Sequence, residues 1–279
     1  MPPRHMIISK RSDTDECNLC LARPAKLGLD HVPPQGSLFQ KITGKQRANA
    51  VRGVYLLNPG GQPTYSQNGT KFRTLCGTCN NQRLGLGFDR ELVDTSRRTQ
   101  AALSSILALP WPLRVECDAG RVIRAVFGHL LAAKDHTPRT VGDEKMRAFF
   151  FDEKLTDTGG LFVYFWVHPD KDAWMMRDVA VFEFEQRFVG TLCDLLAWRP
   201  LGFMVVRERI YALPVLNDYL GQGRVDVPLI RVAPGGLVEW WNRMRPIDCV
   251  SLYAGRVGYT GSGCSPSAIR RKTLAASRC

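Results

Sequence analysis

Cys17-Asn18-Leu19-Cys20, Leu27-Gly28-Leu29-Asp30-His31-Val32-Pro33-Pro34 and Cys76-Gly77-Thr78-Cys79-Asn80-Asn81 are the stretches whose reading decides the fold. Two dicysteine pairs bracket an acid–histidine dipeptide. The two-residue gap in each pair lets both thiolates reach one ion from a tight turn. Two such pairs make a closed four-sulfur site, so Cys17, Cys20, Cys76 and Cys79 read as ligands of a structural zinc ion. Residues 21–75, 55 in all, separate the pairs. That exceeds the spacing of a compact zinc ribbon, so the ion is expected to join two separate elements. Zinc-binding energies of roughly 10–16 kcal/mol would organise a segment with little core of its own. Cys117, Cys193, Cys249, Cys264 and Cys279 lack paired spacing and receive no role.

Neighbouring side chains on a strand point to opposite faces, so Asp30 and His31 cannot be equivalent ligands of one ion. A division of labour follows, with the carboxylate binding a metal and the imidazole acting as general base. Pro33 and Pro34 stiffen the exit from that strand. Asn80 and Asn81 follow Cys79 directly, in the first turn of an expected helix. An asparagine there caps the helix, or its amide oxygen completes a hard-cation site with Asp30 and waters. His5, His129, His136 and His168 have no ligand-like spacing and are assigned no role.

The charge distribution agrees with a polyanionic partner. Residues 17–87 hold nine lysines and arginines and one acid, Asp30, so they carry +8 of the chain's net +12. Such a surface attracts nucleic acid, although a solvated basic face has the same composition. Arg73, Arg83, Lys41, Lys45 and Arg47 are the candidates to hold phosphates. A content of 44% hydrophobic and 23% charged residues is that of a soluble globular protein. Without a long apolar run or an export signal, thiols used for metal fit better than a disulfide framework. The expectation is a cytoplasmic protein with no membrane partner.

Composition shifts near residue 110. Residues 1–110 are expected to form the cysteine-bounded module, with Phe88, Leu92, Ala101, Leu103, Ile106 and Leu107 spaced for a helix before Pro110 and Pro112. Residues 113–279 read as a mixed α+β domain. Its expected elements are a helix over 122–134, an antiparallel hairpin of 161–167 with 179–184, a helix over 188–198 and a strand over 203–210. Trp240-Trp241 reads as core, a base-stacking surface or a partner interface. Residues 255–279, rich in Gly, Ser and Arg, read as a tail.

Taken together, residues 17–81 resemble the HNH endonuclease family in its zinc-bound, treble-clef (ββα-metal) form. In that pattern a dicysteine pair precedes an acid-His-Val-x-Pro strand, and a second pair followed by His or Asn begins a helix. The resemblance covers roughly the first third of the chain. It implies an α+β protein with an N-terminal treble-clef module. It further implies that His31 activates water, that Asp30 and Asn80 hold a catalytic Mg²⁺ or Mn²⁺ ion, and that the cysteines hold structural zinc. The substrate would be DNA, cut by metal-dependent phosphodiester hydrolysis within a defence (antiviral) or mobile-element system. Residues 113–279 would target or restrain the nuclease, through a protein partner or a guide complex. One departure from the pattern is the family's middle asparagine, whose place is taken by Lys71-Phe72-Arg73-Thr74-Leu75, with Asn58 and Asn68 the nearest asparagines. Two other readings stand beside it: a non-catalytic zinc-stabilised module that binds nucleic acid, and a scaffold whose 113–279 part binds a partner.

Overall fold

The computed structural model describes residues 6–7, 11–37, 70–105, 112–134, 137–168, 174–183, 189–209, 213–230 and 250–251. Lys41, Lys45, Arg47, Asn58, Asn68, Trp240-Trp241 and residues 255–279 lie outside the described residues. The architecture is mixed α+β, and among the described residues no helix is long and apolar enough to cross a membrane.

Strands β1 (Met6–Ile7), β2 (Leu27–Val32) and β3 (Thr70–Cys76) form a small sheet of order β1-β3-β2. β2 is therefore an edge strand. After Cys76 the chain enters a π-helical segment, Thr78–Phe88, which continues as α1 (Asp89–Leu103). The wide turns are closed by bonds such as Asp89 N–H to Leu84 O. A side chain at Gly85 would crowd Asn80 O, with Cβ at 3.1 Å, so glycine suits this turn. The helix itself was legible in the sequence and its buried face in part: Phe88 and Leu92 are buried as expected, while Ile106 and Leu107 lie outside the described residues. Ala101 is exposed, whereas Thr95, Ser96 and Thr99 are buried beside Leu92. The two threonine hydroxyls donate to Glu91 O and Thr95 O, one turn back, which makes their burial tolerable.

β4 (Arg114–Asp118) leads into α2 (Ala119–Ala132), the centre of the molecule. Every α2 residue except Arg121 is buried, as expected for a helix that is apolar all round. The sequence pattern placed this helix within a few residues. Asp118 caps it, its side chain accepting from Arg121 N–H at 3.0 Å. Gly128 lets neighbours close in: a Cβ there would lie 2.6 Å from Leu84 Cδ1 and 2.9 Å from Phe150 Cε2. The far end of α2 is tied to the dicysteine segments. Asn18 Nδ2 donates to Leu131 O (2.9 Å) and Lys134 O (3.0 Å), and Thr74 Oγ1 to Ala132 O (2.7 Å). One buried apolar cluster runs from Cys17 and Leu19 through α2 to Leu229.

α3 (Val141–Phe151) begins with a capping box between Thr140 and Asp143 and packs on α2. Beyond it lies a five-stranded antiparallel sheet of order β10-β6-β7-β8-β5, built from β5 (Phe162–Val167), β6 (Trp174–Glu183), β7 (Val189–Trp198), β8 (Leu201–Val206) and β10 (Val250–Ser251). β9 (Arg224–Pro228) pairs instead with β4. Two expectations are corrected. Residues 188–198, expected as a helix, contain strand β7. Leu192–Trp198 is nearly unbroken in apolar residues, a pattern that a buried helix and a doubly covered strand share, and flanking β6 and β8 decide it. The expected hairpin of 161–167 with 179–184 does not form either: β5 pairs with β8, and β6 with β7. The expected strand over 203–210 is met in part by β8, which starts two residues earlier and ends at Val206.

A buried ion cluster joins the helices to this sheet. Asp143 accepts from Lys134 Nζ (2.8 Å), Arg177 (2.6 Å) and Thr140 N–H (2.9 Å), while Arg177 Nε lies 2.9 Å from Asp194. Burial pushes the Asp143 carboxyl up, but Arg177 and Lys134 outweigh it and hold it down at about 2. A carboxylate with a folded-state pKa below its unfolded value stabilises the fold above about pH 4 and loses that contribution as pH falls through about 2. Asp143→Asn is expected to lower stability at pH 7 by about 3 kcal/mol, because two buried cations each lose one counter-charge, Lys134 keeping Asp178 and Arg177 keeping Asp194. Denaturant unfolding should show its deficit relative to wild type shrinking between pH 4 and pH 2. A deficit that is constant with pH would show that the carboxylate charge is not what matters.

Candidate metal centre and adjoining cleft

The two dicysteine pairs meet. The four Sγ atoms of Cys17, Cys20, Cys76 and Cys79 all lie within 4.8 Å of one another. Cys20 Sγ and Cys76 Sγ are 3.8 Å apart. A tetrahedral zinc–thiolate site with bonds of about 2.3 Å has sulfur–sulfur edges of about 3.8 Å, so the cluster could hold a metal ion such as zinc. The first pair sits in a tight knuckle, with Leu21 N–H donating to Cys17 O at 2.9 Å and Leu21 in the left-handed region at φ 59°. The second pair spans the end of β3 and the start of the π-helical segment. Cys76 N–H donates to Cys17 Sγ at 3.2 Å. Hydrogen bonding from Cys79 draws the Cys17 thiol down to about 5 against the effect of burial. The same bond, then burial and the neighbouring sulfurs, pushes Cys79 strongly upward. Thiols this crowded cannot all ionise alone, and a dication at their centre removes the conflict.

Close by, an open cleft of about 430 Å³ is lined by Asp30, His31, Asn80, Asn81, Gly85 and Asp89, among others. The three residues singled out for chemistry, Asp30, His31 and Asn80, thus share one cavity. Asp30 and His31 alternate as expected on β2, Asp30 buried and His31 half-buried. Both reach the cleft because β2 is the edge facing the π-helical segment. Asn80 Nδ2 donates to Leu29 O of that edge at 3.1 Å, which fixes the start of the helix against the strand.

Two residues escaped the sequence reading, Asp89 on the cleft wall and His129 behind it. His129 of α2, assigned no role from its spacing, is fully buried, with Nδ1 3.3 Å from Asp30 Oδ2 and Nε2 2.8 Å from Asp89 Oδ1. Burial alone would lower the His129 pKa, but Asp89 and then Asp30 reverse this and raise it to about 10. Burial pushes Asp30 up, and His129 opposes that push. The available signal was one histidine within the run Val122–Ala132, whose only other ionisable side chain is Arg124, since a fully buried polar group must have partners.

The basic candidates divide. Arg73 lies opposite Leu29 in the β2–β3 ladder, and Lys71 lies directly opposite His31. Strand alternation places both on the sheet face that bears His31. Lys71 was not among the candidates, although its register with His31 makes it the nearer cation along the ladder. Arg83 is turned elsewhere, its guanidinium 4.9 Å from the centre of the Phe151 ring, and it does not line the cleft. A second hollow of about 470 Å³ shares Pro34, Gly85 and Asp89 with the first and extends along α1 past Arg90 and Arg97. No protein-family model, curated protein or solved structure matches the chain.

The cysteine cluster is expected to retain about one equivalent of zinc through purification, measured by elemental analysis. Cys76→Ser should lose that zinc and unfold at markedly lower temperature, and a strong chelator should reproduce the loss in the wild type. A zinc-free protein whose melting is unchanged by Cys76→Ser would rule out a structural ion.

Proposed function

We propose that the chain is a metal-dependent endonuclease of HNH type that hydrolyses DNA phosphodiester bonds. In this reading β2, β3 and the π-helical segment with α1 form a treble-clef module around structural zinc. The observation that carries the reading is the meeting of Asp30, His31 and Asn80 in one open cleft beside the four-cysteine cluster. The donor set there fits a hard cation, since carboxylate and amide oxygens suit Mg²⁺ or Mn²⁺ and the cleft is open enough for water ligands. Asp30 and Asn80 would hold that ion. When bound, such an ion supplies Lewis-acid stabilisation of charge on the phosphate and on the leaving oxygen.

The chain's own residues account for the other requirements. A ring nitrogen of His31 takes a proton from water as the water oxygen forms its bond to phosphorus. The bond from phosphorus to the leaving oxygen breaks in line with it. Asn80, tied to Leu29 O, keeps the start of the helix in register with the strand that carries the base. Lys71 and Arg73 flank His31 on the same face and would hold neighbouring phosphates, with Arg90 and Arg97 extending that track along α1. Residues 113–279 would serve targeting or restraint, through a protein partner or a guide complex.

The test is incubation of purified protein with supercoiled plasmid and Mg²⁺ or Mn²⁺. Wild type is expected to nick or linearise the plasmid, and His31→Ala and Asp30→Asn to slow this about 10²–10⁴-fold. Lys71→Ala is expected to weaken DNA binding across sequences and to reduce the slope of log affinity against log salt by about 1. Equal cutting by wild type and His31→Ala would dispose of the nuclease reading. Salt-dependent DNA binding without any His31-dependent cutting would favour the non-catalytic module.

A further inference from the structure

We infer that His129 is a positioning residue of this cleft: one imidazole fixed in α2 orients the carboxylates of Asp30 and Asp89 toward a divalent cation. The inference rests on the metal-dependent nuclease reading above and adds to it a residue from outside the cysteine-bounded segment.

The geometry is that of a clamp. The two ring nitrogens of His129 face two different elements, Nδ1 toward Asp30 on β2 and Nε2 toward Asp89 at the first position of α1. Nε2 hydrogen-bonds Asp89 Oδ1 at 2.8 Å, and Nδ1 faces Asp30 Oδ2 as an ion pair at 3.3 Å. Asp30 and Asp89 both line the cleft that Asn80 also lines, which leaves the second oxygen of each carboxylate as the donor to a cation there. An outer side chain that grips one oxygen and so aims the other is the usual way a protein orients a ligating carboxylate.

The clamp has little room to move. His129 lies in a helix buried on nearly every side, and the neighbouring Gly128 lets Leu84 and Phe150 pack within contact of the backbone. A purely structural ion triad would seal its carboxylates from water. Here Asp30 is almost wholly buried, yet both carboxylates line an open cleft and the Asp89 side chain keeps 15% exposure. The histidine lies between the two carboxylates and offers one ring nitrogen to each, so neither can turn away from the cleft without losing that contact.

The test measures Mn²⁺ binding to the full-length, zinc-loaded protein, reading free Mn²⁺ by electron paramagnetic resonance, with melting curves recorded for every variant. Asp30→Asn identifies the cleft-bound ion by abolishing its binding. His129→Ala is expected to weaken Mn²⁺ binding about 10–100-fold. His129→Asn places an amide nitrogen near the position of Nδ1 and keeps the Asp30 contact, whereas His129→Gln reaches toward the position of Nε2 and keeps the Asp89 contact. The asparagine variant is therefore expected to recover more affinity than the glutamine variant. This pair fills similar space and decides the matter if the alanine variant does not fold. Wild-type Mn²⁺ affinity in both His129→Asn and His129→Gln, with only their melting temperatures lowered, would overturn the inference and leave the nuclease reading intact. Mn²⁺ binding that survives Asp30→Asn would instead remove the cation from the cleft. That result overturns the underlying reading and the role of His129 with it.

Discussion

A helix buried on nearly every side must find a partner for each polar group it carries, and α2 imposes that constraint on the rest of this protein. Its solutions define the architecture. At its start, Asp118 caps the first turn, and Asp118 N–H is itself held by Glu91 of α1. In mid-helix Arg124 donates to Asp152 O and Leu155 O beyond α3, while His129 turns to Asp30 and Asp89. At its end the last carbonyls are taken by Asn18 and Thr74, beside the dicysteine pairs. Each obligation ties a different element to one rod. The small β1-β3-β2 sheet, which has little core of its own, therefore acquires a fixed position through hydrogen bonds as well as apolar burial.

Two different sets of donor atoms adjoin in space. Four sulfurs form a closed cluster with no place for substrate, suited to a soft, structural ion. The neighbouring cleft offers carboxylate and amide oxygens beside the single imidazole of His31 and opens to solvent, a set suited to a hard ion that keeps its waters. The π-helical segment belongs to both, since Cys79 and Asn80 are adjacent residues that face different sites. An ion among the cysteines would thereby set the position of Asn80 relative to β2, and the Asn80–Leu29 bond would hold it there.

Legibility followed sequence distance. The dicysteine pairs, the Asp30-His31 strand and the helix after Cys79 were readable because each motif is local and its chemistry depends on spacing. α2 was readable from its periodicity. The face that α1 buries was readable only at Leu92, because Thr95 and Thr99 satisfy their own hydroxyls within the helix and so behave like apolar residues. β7 was misread because burial on both sides erases the alternation that marks a strand. His129 was missed for a different reason. Its partners come from two remote segments, and in sequence it is a lone histidine in an apolar run.

That missed histidine also bears on the choice between cutting and mere binding. A nucleic-acid-binding module needs a basic face and a stable frame, and here Lys71, Arg73 and the cysteine cluster supply both. It has no use for two acids held beside a groove meant for phosphates, where they repel the ligand. Burying a carboxylate and an imidazole together is costly, and apolar residues of similar volume would fill the same space with less penalty. An arrangement that opposes both stability and DNA binding is intelligible when a cation sits between the carboxylates and the phosphate, turning repulsion into a bridge. The placement of Asp30 and Asp89 on the cleft wall, held from behind by His129, is therefore stronger support for phosphodiester chemistry than the basic surface around it.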